Sequence, residues 1–149
     1  KPLYCLPPNL QSLEIDMPYN DNDVIKINNF LDFLPHGIKE LYILPNTFSD
    51  LSHLPSSIEI LHIDMETSFY GQIHDLPYSL HTIGFDQIND ECNIYEIIDK
   101  LYKIKFKNLK TIVIGGNYLN DFICYEKNLI DHLQEVLRNC NREDIKIDY

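Results

Sequence analysis

Leu54-Pro55-Ser56-Ser57-Ile58-Glu59-Ile60-Leu61-His62-Ile63 is the stretch on which the fold turns. Pro55 lacks an N–H and has a fixed φ, so it ends the preceding segment and sets a turn. The residues that follow settle into an alternation, with Leu61 and Ile63 apolar and His62 polar between them. A period of two is that of a strand with one face turned to a core.

The same phrase recurs three times in full. It opens as Leu6-Pro7-Pro8-Asn9-Leu10 and runs on to Leu13-Glu14-Ile15. It returns as Leu34-Pro35-His36-Gly37-Ile38 with Leu41-Tyr42-Ile43, and as Leu76-Pro77-Tyr78-Ser79-Leu80 with Ile83-Gly84-Phe85. A fifth unit keeps only the second half, Leu109-Lys110-Thr111-Ile112-Val113-Ile114, and a sixth is the stub Ile145-Lys146-Ile147. The Leu-Pro pairs are 28, 20 and 22 residues apart. Aligning the two later units on their last two apolar positions gives further steps of about 29 and 33 residues. A unit this small cannot bury its apolar face alone, whereas stacked units share a continuous core.

Periods in the twenties are those of leucine-rich repeats. Two units carry the longer pattern of that class, Ile38 to Phe48 with Asn46 and Leu109 to Leu119 with Asn117. The expected fold is therefore α/β: a leucine-rich-repeat solenoid of about six short parallel strands on the concave side, with helices and short loops on the convex side. Six strands at the usual spacing span only about 25 Å. Helix-like apolar spacing predicts helices over 22–33, 90–104 and 121–139, and the shorter units between them leave room only for extended chain or a 3₁₀ turn.

The units ending Leu-Pro-x-Ser-Leu/Ile resemble the FNIP repeat, a leucine-rich-repeat subtype of social amoebae and of the giant viruses that infect amoebae. The matching residues are Phe48-Ser49-Asp50-Leu51 ahead of Leu54-Pro55-Ser56-Ser57-Ile58, and Phe69-Tyr70-Gly71-Gln72-Ile73 ahead of Leu76-Pro77-Tyr78-Ser79-Leu80. The Asn that follows the family's Phe is replaced by Ser49 and Tyr70. The resemblance implies protein–protein interaction, in some members behind an F-box that recruits a ubiquitin ligase, and it brings no catalytic residues. No F-box is visible in this sequence. The expected setting is cytoplasmic, in the host cytoplasm or the virion if the chain is viral.

Composition narrows the function classes. Lys and Arg number 12 against 23 Asp and Glu, for a net charge of −11. That balance argues against a nucleic-acid or anionic-membrane partner, both of which need clustered cations. There is no apolar run of transmembrane length and no signal-peptide pattern. Cys5, Cys92, Cys124 and Cys140 form no C-x-x-C pair and fit buried free thiols. No nucleophile motif and no metal-ligand spacing stands out, so neither an enzyme nor a cofactor or metal site is expected. Gly115-Gly116 follows a strand without the Lys of a phosphate loop and is assigned to a turn.

Because core and solvent positions alternate, the solvent-facing strand residues follow directly. Glu14, Asp16, Glu40, Asp64 and Asp86 place carboxylates on the concave face of the first four strands, which themselves carry no Lys or Arg. Such a strip attracts a basic segment of a protein partner, with Tyr42 and His62 as central anchors. The expected function is a protein-binding module working through these seven residues. The alternative is a structural or assembly role, in which residues 1–149 form one leucine-rich-repeat domain within a longer repeat protein or particle and associate through the solenoid ends.

Overall fold

The structure is a computed structural model that describes residues 6–15, 31–43, 54–64, 76–86, 108–115 and 123–148, with the side chains of 64 and 123–129 excepted. Its centre is one sheet of six parallel strands in sequence order: β1 (Ser12–Ile15), β2 (Glu40–Ile43), β3 (Ile60–Asp64), β4 (Thr82–Asp86), β5 (Thr111–Ile114) and β6 (Lys146–Asp148). Among the described residues one helix, α1 (Ile123–Asn139), follows β5 and precedes β6 in the chain. A 3₁₀ turn over Leu31–Phe33 precedes β2 and is the only described part of the helix expected over 22–33. The helix expected over 90–104, and Asn46 and Asn117, lie outside the described residues. Among the described residues no helix is long and apolar enough to cross a membrane.

The first four strands are entered through the same turn. The N–H groups of Leu10, Ile38, Ile58 and Leu80 donate to the carbonyls of Pro7, Pro35, Pro55 and Pro77, at 3.0–3.2 Å. Proline therefore opens a hydrogen-bonded turn and the apolar residue three positions on closes it, entering the core at Ile38, Ile58 and Leu80. Ile38 and Ile58 are fully buried and Leu80 nearly so. The next rung is a shared acceptor. Gln11, Lys39, Glu59 and His81 each offer one carbonyl to two successive N–H groups of the following unit, such as Lys39 and Glu40 on Gln11. These bonds fix the lateral register before the strand begins, so backbone groups at the strand entrances are satisfied between units.

The turn residue just before the apolar one links neighbouring units through its side chain. Ser57 Oγ donates to the Ile38 carbonyl at 2.6 Å. Ser79 Oγ lies within bonding range of the Ser56 carbonyl at 2.7 Å and of the Ile58 carbonyl. Asn108 Nδ2 donates to the Tyr78 carbonyl at 2.8 Å. The Ser of Leu-Pro-x-Ser-Leu/Ile is thus a stitch between turns. In the last unit the stitch changes chemistry: Arg142 replaces the proline, and its Nη2 reaches the Leu109 carbonyl at 2.8 Å while Asp144 holds the guanidinium.

The core lies on one side of the sheet. Leu41, Leu61, Ile83 and Ile112 form one in-register row, and Ile43, Ile63, Phe85 and Ile114 form the next. All eight are buried, at about 1.5–3 kcal/mol of favourable transfer for each large side chain. Leu133 and Leu137 of α1 join the same cluster, so the helix covers part of the core. Its C-terminus is closed by a Schellman motif. Asn141 takes the left-handed conformation at φ 54°. The Arg142 N–H reaches back to Leu137 and the Asn141 N–H to Arg138.

One expected alignment is corrected. The stub Ile145-Lys146-Ile147 was expected to set Ile145 and Ile147 level with Ile112 and Ile114, but Ile147 pairs with Ile112. Ile145 instead closes the turn, its N–H donating to the Arg142 carbonyl. The last step is therefore two residues longer than expected. A shift of two keeps every side chain on its own face, so alternation alone does not detect it.

Candidate functional site

The face opposite the core carries the polar residues expected there. Its central row, in register across the sheet, is Glu14, Tyr42, His62, Gly84, Val113 and Asp148. The row before it is Ser12, Glu40, Ile60, Thr82, Thr111 and Lys146. Asp64 and Asp86 are level with each other in the row beyond. Of the seven expected partner-binding residues, Glu14, Glu40, Tyr42, His62 and Asp86 share this face. The Asp64 backbone is placed among them, its side chain lies outside the described residues, and so does all of Asp16.

Tyr42 and His62 are stacked, with ring centroids 4.6 Å apart and planes 13° from parallel. The rings sit on adjacent strands, so the stack runs along the sheet. His62 leans onward over β4, where Gly84 has no side chain to block it: a Cβ on Gly84 would lie 2.2 Å from His62 Nδ1. This lean brings Nδ1 to 3.4 Å from Asp86 Oδ2. Asp86 leans in turn over Gly115, where a Cβ would lie 1.9 Å from Oδ1. Gly115 also donates its N–H to the Phe85 carbonyl at 2.8 Å, extending the ladder past β5. The two glycines thus clear a diagonal track along which Tyr42, His62 and Asp86 touch one after another.

Charge on the face is less uniform than the strand sequences suggest. Asp86 is beside His62, and Asp148 is ion-paired with Lys146. Immediately before the strands, Lys39 pairs with Glu59, and His81 Nε2 lies 3.7 Å from the same carboxylate. The Lys39 ammonium holds the Glu59 carboxyl below the usual carboxylate range, mainly through its hydrogen bond. Lys39, Glu59 and His81 were not among the expected site residues. They were missed because they fall between the turn-closing apolar residue and the strand, where no alternation marks a face. Among the described residues, Glu14 and Glu40 have no cationic partner, and they border Tyr42 on two sides. Glu14 is its register neighbour, and Glu40 lies two residues before it on β2.

Among the described residues no group of three His, Cys, Asp or Glu is placed to hold a metal ion. Cys140, the one cysteine whose side chain is described, is half-buried at the end of α1, with its thiol 2.7 Å from the Val136 carbonyl. Burial pushes that thiol up from its ordinary value.

Comparison with protein-family models, curated proteins and solved structures returns no match to this chain.

Proposed function

We infer that the chain is a leucine-rich-repeat solenoid of the FNIP type that binds a protein partner on the polar face of its sheet. The observation that carries this reading is the Tyr42–His62 stack between carboxylates. An aromatic pair on a strand face, next to carboxylates with no cationic partner among the described residues, combines a packing surface with charge for a basic segment. The repeated Leu-Pro-x-Ser-Leu/Ile turn and the one-to-six strand order support the repeat class. A protein-binding module in a cytoplasmic setting, working without a cofactor and without catalysis, accords with that class.

The test is fluorescence anisotropy of a labelled basic decapeptide with the purified chain. Charge reversal of Glu14 and Glu40 to Lys should weaken binding at least tenfold. Reversal of Glu135, exposed on α1, should leave it unchanged. Equal losses at all three positions would mean bulk charge attraction and would overturn the reading.

A second reading, assembly through the sheet edges, is favoured by the position of β1 and β6. Neither has a second neighbour among the described strands. Parallel edges of this kind accept further strands. Sedimentation velocity showing concentration-dependent association would support it, and a monomer at all concentrations would count against it.

A further inference from the structure

The outer ring face of Tyr42 has a more specific use, which rests on the reading of the polar face as a protein-binding surface. One face of the ring is covered by His62, at 4.6 Å between centroids. Because the stack runs from β2 to β3, the other face is turned toward β1, where the register neighbour of Tyr42 is Glu14. Glu40 stands two residues before Tyr42 on the same face. Neighbouring strands lie about 4.8 Å apart. The result is an aromatic plane with a carboxylate across from it and a second beside it. Neither carboxylate has a cationic partner among the described residues.

Other described carboxylates have a nitrogen-bearing side chain within 4 Å. His62 lies beside Asp86, Lys39 pairs with Glu59, and Lys146 pairs with Asp148. Among the described residues, the β1–β2 corner is where carboxylates without a cationic partner meet an aromatic ring. A planar guanidinium matches this corner better than an ammonium. It stacks flat on an aromatic ring while its edge donates two parallel hydrogen bonds to a carboxylate, and it is the more weakly hydrated cation. His62 supports the ring from behind, so the stacking plane is held before the partner arrives.

We propose that the corner formed by Tyr42, Glu14 and Glu40 takes an arginine side chain of the protein partner. The guanidinium lies on the Tyr42 ring and is paired through its edge with Glu14, while Glu40 adds charge.

The experiment uses two labelled hexapeptides, hexa-arginine and hexa-lysine, titrated into the whole chain at physiological salt. The arginine peptide should bind about 3–10-fold tighter, the stacking advantage of a guanidinium. Tyr42→Leu should remove that preference while changing the lysine affinity little, and Tyr42→Phe should keep it. Thermal unfolding of both variants checks that the loss is not one of folding. Equal affinity for the two peptides, or a preference that survives Tyr42→Leu, overturns the arginine corner. If Glu14→Lys with Glu40→Lys still abolishes binding in that case, the polar-face reading stands. Saturable binding of neither peptide overturns both.

Discussion

His62 lies across Gly84 so closely that no other residue fits there without moving the ring. A Cβ on Gly84 would sit 2.2 Å from Nδ1 and 2.9 Å from Cγ. Gly84→Ala should therefore displace His62 from Asp86 and disturb its stack on Tyr42. Loss of the stack costs about 0.5–1.5 kcal/mol. Urea unfolding should show that loss in the native background and almost none in a His62→Ala background. An equal cost in both backgrounds would mean that the methyl clashes with something other than the ring.

The turn stitches predict a second set of outcomes. Ser57→Ala and Ser79→Ala each remove a hydroxyl donor to a carbonyl of the neighbouring turn. Each should destabilise by about 1 kcal/mol. Gly37 occupies the same turn position without a side chain, and a Cβ there would lie 3.9 Å from the Pro8 carbonyl oxygen. A serine hydroxyl spans that gap. Gly37→Ser should stabilise by about 1 kcal/mol, by adding a stitch and by restricting the unfolded chain. Denaturation midpoints decide it, and a loss of stability in Gly37→Ser would refute the stitch as the role of this position.

Acid should weaken the fold through two carboxylates. The Lys39 hydrogen bond holds Glu59 below its ordinary value, and the Arg142 hydrogen bond does the same for Asp144. A carboxyl with a lower pKa in the folded chain contributes stability above its unfolded pKa. That contribution is lost as pH falls through the ordinary carboxylate range toward the depressed folded value. Melting temperature should therefore decline below about pH 5. Glu59→Gln and Asp144→Asn should each make that decline shallower, both groups being exposed and the effects small. A slope unchanged in both variants would assign the acid limb to other groups.

At the end of α1, Asn141 at φ 54° predicts opposite signs for two small substitutions. Asn141→Ala puts a Cβ with no compensating amide into the left-handed region and should cost about 1 kcal/mol. Asn141→Gly should be neutral or slightly stabilising, since glycine is the favoured residue at this cap. Thermal melts should place Asn141→Ala below the native chain and Asn141→Gly at or above it.

Much of this architecture is legible in the sequence at particular residues. Leu-Pro-x-x-apolar locates four strand entrances, because a proline that cannot donate opens the turn and the next apolar residue closes it. Alternation assigns Leu61 and Ile63 to the core and His62 to the opposite face, and the same holds in β2 and β4. The apolar spacing of Leu133 and Leu137 marks the helix that packs on the core. The site was less legible. His62 stands two residues from Asp64 in the sequence, yet its described carboxylate neighbour is Asp86, twenty-four residues away.

By itself, then, the sequence determined which residues turn, which extend, and which face of each strand meets the core. Those properties depend on neighbours within a few positions. Only the tertiary structure decided what lies beside what across the sheet: Ile147 level with Ile112, Ser57 on the Ile38 carbonyl, Lys39 with Glu59, and His62 reaching Asp86 over Gly84. The reason is that a period of two is unchanged when a strand slides by two residues. Lateral neighbours are set by hydrogen bonds between units that are 20 or more residues apart in the chain.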